Sequence, residues 1–177
     1  MIALLYDTET TGLISNHTVK MTHQPHVIEF YGCLANLKNG RVIKDLNLLI
    51  KPPIHIEIEI TNITTITDDL VKDAPSFAQV STEIFSFLES APLLIAHNAS
   101  YDKEIMDLEA ERLKRTIKWP RMLCTVEQTV SLKGIRLSLS ELHKLLFGAP
   151  HAGAHRAKAD VDALLRCCVE LTKRDIL

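Results

Sequence analysis

The stretch 2-IALLYDTETTG-12 joins a continuous apolar run to two carboxylates, Asp7 and Glu9. A short apolar run predicts a strand buried on both faces, here over residues 2–6, with functional groups at its end. Because residues i and i+2 of a strand point to one side, the two carboxylates should project together. Such close like charges repel unless a cation lies between them, and hard divalent metals prefer oxygen ligands. The stretch therefore predicts a strand ending in a metal site, although an isolated D-x-E pattern is also common where strands meet solvent.

Outward from this stretch, apolar runs and turn signals predict further strands at residues 27–34, 42–50, 93–96 and 122–125. Helical patterns are predicted at residues 77–90, at 101–115, from residue 139 after a capping box, and at 157–173. Residues 54–60 alternate like a strand but follow two prolines, so strand and connector both remain open. Residues 15–26 are polar and are predicted to form a mobile loop that borders a site. The order of elements indicates an α/β fold with helices on both faces of a mixed sheet.

The composition of the chain indicates a globular protein and excludes some classes of nucleic-acid-binding protein. The chain has 177 residues, 46% of them hydrophobic, and a formal net charge of −2, so one globular domain is expected and a strongly basic nucleic-acid module is excluded. Neither a signal peptide nor an apolar run long enough to cross a membrane is recognisable. The four cysteines lack the spacing of metal sites or disulfide frameworks. These observations favour a cytoplasmic, reducing location without membrane contact. A local cluster of basic residues could still bind nucleic acid, or could be an ordinary solvated helix face: Arg112, Lys114, Arg115, Lys118 and Arg121, with Trp119 among them.

Two further segments carry potential chemistry. Asp102 follows the predicted strand at residues 93–96 and opens a helix, where an aspartate often serves only as a cap. Asp160 lies at the start of the last helix, and His155 precedes it by five residues. On a helix that spacing would separate the two side chains by about 140°, so His155 is expected on the loop before the helix. A fixed carboxylate beside a movable base suits a site that closes on its substrate.

Taken together, three segments resemble the sequence motifs of the DEDDh family of RNase H-like 3′-to-5′ exonucleases, which includes the proofreading subunit of bacterial DNA polymerase III. They are Asp7-Thr8-Glu9-Thr10-Thr11-Gly12, Ala96-His97-Asn98-Ala99-x-x-Asp102 and His155-x-Ala157-x-x-Asp160. Three ordered motifs are far more specific than any one of them. The resemblance covers about residues 2–170, including Ile66-Thr67-Asp68, and departs from the family at Thr65, where a glycine is common, and mildly at Tyr101.

The resemblance implies a single exonuclease domain over residues 1–177. Its fold would be a five-stranded mixed sheet in which strands 1–3 are antiparallel and strands 4 and 5 run parallel to strand 1. It also implies that four carboxylates hold two Mg²⁺ or Mn²⁺ ions, with His155 as the general base that accepts a proton from water. The implied metal ligands are Asp7, Glu9, Asp102 and Asp160. The implied substrate-binding residues are Thr10, Thr11 and Leu13 near the terminal nucleotide, Ile66 against a base, and Asn98 beside the metal site or the phosphate.

The implied reaction releases 5′-nucleoside monophosphates from the 3′ end of single-stranded or frayed DNA, with a DNA polymerase in trans as the suggested partner. RNA remains an alternative substrate, because the motifs do not separate the two sugars. A non-catalytic nucleic-acid or polymerase-binding module is a third alternative, which the complete catalytic set disfavours. His151 is the rival base, four residues before His155. The same spacing could suggest a zinc pair on a helix, but the neighbouring glycines and proline disfavour a helix there.

Overall fold

The computed structural model describes residues 1–15 and 20–177. Residues 16–19, in the middle of the predicted loop at 15–26, lie outside the described residues. The strands are β1 (Ile2–Thr10), β2 (Val27–Asn36), β3 (Arg41–Leu49), β4 (Leu94–Ala96) and β5 (Met122–Cys124). They form one sheet in the order β3-β2-β1-β4-β5. Strand β1 therefore lies at the centre of the sheet.

The directions of the strands match the prediction. Strand β1 pairs antiparallel with β2, and β2 pairs antiparallel with β3 across a tight turn at residues 37–40. Strand β1 pairs parallel with β4, and β4 pairs parallel with β5. The predicted mixed five-stranded sheet is thus confirmed, and the carboxyl ends of β1, β4 and β5 meet at one edge.

Besides a short 3₁₀ helix (Met21–His23), seven α-helices occur in the described part of the chain. They are α1 (Ile58–Thr64), α2 (Asp68–Val71), α3 (Phe77–Glu89), α4 (Ala99–Arg112), α5 (Thr125–Lys133), α6 (Leu139–Phe147) and α7 (Ala157–Lys173). Helix α7 has the predicted bounds, α4 begins two residues earlier than predicted, and α5 was not predicted. In the open segment at 54–60, residues 54–57 are a connector and residues 58–60 begin α1, so none of it forms a strand. Across residues 1–15 and 20–177, no helix combines the length and apolar character needed to cross a membrane.

Strand β1 divides its side chains between the two helical layers. Leu4 and Tyr6 belong to a core cluster with apolar residues of α3 and α4, whereas Ala3 and Leu5 belong to a second cluster with α7. The strand continues past the predicted end at Tyr6 to Thr10, and so carries the alternation into its polar half. Asp7 and Glu9 therefore lie on the α7 side, and Thr8 and Thr10 on the α4 side.

Candidate active site

Three carboxylates from two elements converge at the end of β1. Oxygen atoms of Asp7, Glu9 and Asp160 all lie within 4.8 Å of one another. Strand β1 supplies the first two from one face, and the first turn of α7 supplies the third. Carboxylates gathered in this way are the donor set that hard divalent cations prefer. The cluster can hold a metal ion, as the D-x-E pattern predicted.

Asp102 completes the acidic set from the opposite layer. It lies in the first turn of α4, is almost wholly buried, and accepts a hydrogen bond of 3.0 Å from the Thr8 hydroxyl. Its carboxylate lines the same hollow of about 560 Å³ as Asp7, Glu9 and Asp160. A hollow of about 590 Å³ lies elsewhere, beside His26 and Arg112, but contains none of these acids. Chemistry rather than size therefore identifies the candidate site.

Burial disfavours the ionised form of three of these acids, Asp7, Glu9 and Asp102, and raises their pKa values. Burial, followed by the charge of Asp102, raises the pKa of Asp7 well above its ordinary value. Burial, followed by the charge of Asp160, raises the pKa of Glu9 to about 8. Burial raises the pKa of Asp102 to about 7, against the effect of the Thr8 hydrogen bond. A bound divalent ion would relieve both the repulsion between these acids and the cost of their desolvation.

The raised pKa of Glu9 makes the stability of the metal-free protein depend on pH. The folded chain keeps this proton up to about pH 8, whereas the unfolded chain releases it near pH 4.5. Because the folded state binds more protons in that window, stability falls as the pH rises through it. We expect the melting temperature in EDTA to fall from about pH 5 to about pH 8, by about 2–4 °C for each kcal/mol lost.

The matched variant for this titration is Glu9→Gln, which keeps the shape of the side chain and cannot ionise. Its melting temperature in EDTA should decline less over the same pH range. A wild-type curve no steeper than that of the variant would contradict the assignment of the raised pKa to Glu9.

The two candidate bases occupy different environments beside Asp160. His155 lies on the loop before α7, as predicted, is exposed, and has a φ of 67°, which is uncommon outside glycine. Its backbone N–H donates to Oδ2 of Asp160 at 2.9 Å. The side chain of His151 is only 1% exposed, and its Nε2 lies 2.6 Å from Oδ1 of Asp160. These two histidines lie outside any helix, which removes the basis for the suggested zinc pair.

His97 holds the wall of the hollow together. Its Nδ1 lies 2.9 Å from the Thr125 hydroxyl, and its Nε2 lies 3.0 Å from the carbonyl oxygen of Leu137. Both ring nitrogens are therefore occupied by protein partners. The ring ties the end of β4 to the start of α5 and to the residue before the capping box of α6. Its contacts are those of a structural histidine rather than of a metal ligand.

Of the predicted substrate contacts, Asn98 lines the acidic hollow itself. It also lines an adjoining hollow of about 470 Å³, to which Leu13 contributes. Leu13 is 83% exposed. The Thr10 hydroxyl donates to the carbonyl oxygen of Gly12 at 2.7 Å, and the Thr11 hydroxyl accepts from the N–H of His26 at 2.9 Å. Both threonines thus shape the turn that ends β1, next to the hollow.

Ile66 is not brought to this site. It is fully buried in a separate cluster with Ile28, Ile56 and Val71. The preceding Thr65 has a φ of 63°, a left-handed conformation that glycine adopts more easily. A contact between Ile66 and a base, as the family resemblance implies, would require this turn to open.

Several side chains of the predicted basic cluster contact other groups of the protein. Arg112 donates to the carbonyl oxygens of residues 24 and 25, each at 2.9 Å. The guanidinium carbon of Arg115 lies 4.8 Å from the centre of the Phe85 ring. The indole N–H of Trp119 donates to an aspartate of α4 at 2.8 Å. These contacts favour a structural role for the three side chains over a surface that binds nucleic acid.

Sequence reasoning missed one pair that supports the site, Glu29 and Arg156. Glu29 lies on β2 opposite Glu9 and is buried. Its carboxylate accepts hydrogen bonds from Nε and Nη2 of Arg156, at 3.1 and 2.8 Å, and from the N–H of Ala157 at 2.9 Å. Since Ala157 is the first residue of α7, Glu29 caps the helix that carries Asp160. The available signal was a single acid inside an apolar strand, which usually implies a buried partner.

Replacing Glu29 by alanine should destabilise the protein. The change leaves the guanidinium of Arg156 and the N–H of Ala157 without their partner. We expect the free energy of unfolding, measured in urea, to fall by about 2–3 kcal/mol. The loss is not larger because Arg156 is only partly buried and water can solvate its guanidinium. Glu170→Ala is the matched control, since Glu170 pairs with Arg174 on the surface of α7. The free energy of unfolding of this control should fall by less than about 1 kcal/mol. Equal losses for the two variants would contradict the capping role of Glu29.

Comparison with known proteins connects this site to a family. The RNase_T family model, described as Exonuclease, matches residues 4–167. DNA polymerase III subunit epsilon of Buchnera aphidicola subsp. Schizaphis graminum is 28% identical over 160 residues, covering 82% of this chain and 67% of the relative. The same subunit of Escherichia coli K12 is 28% identical over 129 residues, covering 73% of this chain and 51% of the relative. The chain thus spans between about half and two thirds of these two relatives.

A solved structure shares the fold. The nuclease domain of 3′hExo, described as a DEDDh family member and bound to rAMP, superimposes with a TM-score of 0.79. Its sequence is 15% identical, and the match covers 98% of this chain and 92% of the other. The mixed sheet with its flanking helices is therefore an RNase H-like exonuclease fold.

Proposed function

We propose that this chain, which belongs to the exonuclease family, is a metal-dependent enzyme. It removes nucleotides one at a time from the 3′ end of a nucleic acid strand. One observation carries the proposal. Asp7, Glu9, Asp102, Asp160 and His155 line a single hollow, although they come from three separate segments of the sequence. The products would be 5′-nucleoside monophosphates.

The donor set fits two Mg²⁺ or Mn²⁺ ions. Every candidate ligand is a carboxylate, the ligand type that these hard cations prefer over the thiolates and imidazoles of zinc sites. Asp7 is the most central acid, since the charges of Asp102, Glu9 and Asp160 all act on it. When bound, a pair of such ions lowers the pKa of water and stabilises charge on the attacking and leaving oxygens.

The protein's own groups would orient the substrate and move the proton. His155 lies on an exposed loop that ends at α7, so its imidazole can approach the attacking water and accept its proton. The hollow beside Asn98 and Leu13 would receive the terminal nucleotide. Thr10 would support its wall through Tyr101, since the two hydroxyl oxygens lie 3.0 Å apart.

DNA is the favoured polymer, and a DNA polymerase acting in trans the favoured partner, because the two relatives reported above are DNA polymerase III subunits. RNA is the second candidate, since a structure with the same fold is bound to a ribonucleotide, rAMP. The two sugars differ only at the 2′-hydroxyl, so contacts around the terminal ribose decide between them.

The test uses short single-stranded DNA and RNA of the same sequence, each labelled at its 5′ end. We expect a ladder of shortened products and free 5′-monophosphates with Mg²⁺ or Mn²⁺, and intact substrate in EDTA. A blocked 3′ end should prevent shortening, which separates 3′-to-5′ digestion from internal cleavage. Intact DNA and RNA in the presence of both metals would contradict the proposed function.

A further inference from the structure

Two histidines contact Asp160, and their surroundings assign them different tasks. On the basis of the proposed function, we infer that His151 is a positioning residue that holds the Asp160 carboxylate in place for a divalent metal ion, and that it is not the general base. Its ring links two elements of the site. Nε2 lies 2.6 Å from Oδ1 of Asp160, and Nδ1 lies 3.2 Å from the Ser140 hydroxyl in the first turn of α6.

The carboxylate of Asp160 is fixed from two directions. His151 contacts Oδ1, and the backbone N–H of His155 donates to Oδ2 at 2.9 Å. A carboxylate oxygen has two lone pairs, so each oxygen keeps one free for a metal. The two contacts therefore set the orientation of the ligand without occupying its whole binding capacity.

The position of His151 is rigid. Its side chain is nearly completely buried, and its ring centre lies 5.9 Å from that of His143. The Nδ1 of His143 lies 2.7 Å from the carbonyl oxygen of Ala149, which ties α6 to the loop that carries His151. A ring held in this way suits a group that orients a neighbour.

The same contacts argue against His151 as the base. If Nε2–H donates to Asp160, then Nδ1 accepts from the hydroxyl of Ser140, and both nitrogens are engaged with protein. His155 has an exposed side chain on a loop, and its backbone rather than its ring contacts Asp160. Only His155 can swing its imidazole toward a water molecule without breaking a buried hydrogen-bonded chain.

The experiment measures metal binding directly, by calorimetric titration of the full metal-free chain with Mn²⁺. Loss of a group that orients a metal ligand typically lowers metal affinity about 10–100-fold. We expect that loss in His151→Ala, partial recovery in His151→Gln, whose amide can still donate to Asp160, and a smaller loss in Ser140→Ala. His155→Ala is the matched control and should bind Mn²⁺ with wild-type affinity.

Turnover measurements separate positioning from base catalysis. The rate of His151→Gln should approach the wild-type rate as the Mn²⁺ concentration is raised, whereas that of His155→Ala should stay low at every metal concentration. Melting curves in EDTA identify any variant that is unfolded, and His151→Gln and Ser140→Ala keep the inference testable if His151→Ala does not fold.

Wild-type Mn²⁺ affinity in folded His151 variants would overturn the inference. So would a loss of turnover in His151→Gln that excess Mn²⁺ does not relieve, or a wild-type chain that binds no Mn²⁺. A wild-type chain that binds Mn²⁺ but cleaves neither DNA nor RNA would refute the proposed function alone. In that case the calorimetric comparison still decides the role of His151.

Discussion

Asp7→Asn should lower kcat by at least about 10³-fold, equivalent to about 4 kcal/mol of transition-state stabilisation. Asp7 lies at the centre of the acidic cluster, where it is flanked by Glu9 on its own strand and approached by Asp160 and Asp102 from two helices. The substitution preserves the shape of the side chain and removes one negative charge. A neutral amide is a much poorer ligand for a hard divalent cation than a carboxylate.

The same substitution should leave the metal-free protein at least as stable as the wild type. Burial and neighbouring charges both oppose ionisation of Asp7, so removing its charge relieves repulsion. The stabilisation by added Mg²⁺ should be largely lost, because a ligand stabilises only the folded state that binds it. Activity and melting temperature, each measured with and without metal, would together show this pattern.

Asp162→Asn is the matched control for Asp7→Asn. Asp162 lies two residues beyond Asp160 on α7, is partly exposed, and pairs with Lys158 at 2.7 Å. It should keep near wild-type turnover. Wild-type turnover in Asp7→Asn would show that the metal assignment is wrong.

His155→Ala should lower kcat by about 10²–10⁴-fold, the usual contribution of a positioned general base. The affinity for oligonucleotide and for metal should change little, because the ring of His155 is exposed and forms no hydrogen bond or ion pair with residues 1–15 or 20–177. Added imidazole should restore part of the rate, since truncation leaves an accessible space beside the hollow. Steady-state kinetics with and without imidazole measure both effects.

His55→Ala provides the control for His155→Ala. His55 is also an exposed loop histidine, but it pairs with Asp68 away from the acidic hollow. Its removal should not alter kcat. A full rate in His155→Ala, or a rate deficit of the same size in His55→Ala, would contradict the role of His155 as base.

Local sequence patterns were sufficient to predict those helices and strands whose bounds depend on neighbouring residues. The predicted bounds of α7 are correct because its apolar stripe is regular, and α6 starts where the reciprocal hydrogen bonds of Ser138 and Glu141 cap it. The end of β1 was placed too early because Asp7 to Thr10 are polar. Pairing with β2 nevertheless continues that strand. Helix α5 was missed because its apolar residues do not form one clear stripe.

Long-range partners were harder to predict. The three motifs predicted a site at the four acids and His155, and the structure brings these residues to one hollow. Nothing local indicated that Thr8 would donate to Asp102 across 94 positions of sequence. The partner of Glu29 is 127 residues away, so a buried acid in β2 suggested that a partner exists without identifying it. The choice between His151 and His155 likewise depended on which ring packs inside the fold.

The alternation along β1 has a consequence for how this protein can vary. Side chains at odd positions of the strand face α7, and those at even positions face α4. One strand therefore positions the side chains of both halves of the site. Substitution of one side chain alters one contact. Insertion or deletion of one residue before Asp7 would exchange the two sets, turning both acids toward α4 and both threonines toward α7. The strand therefore tolerates changes of residue far better than changes of length, and divergent sequences can keep this chemistry only if its spacing is preserved.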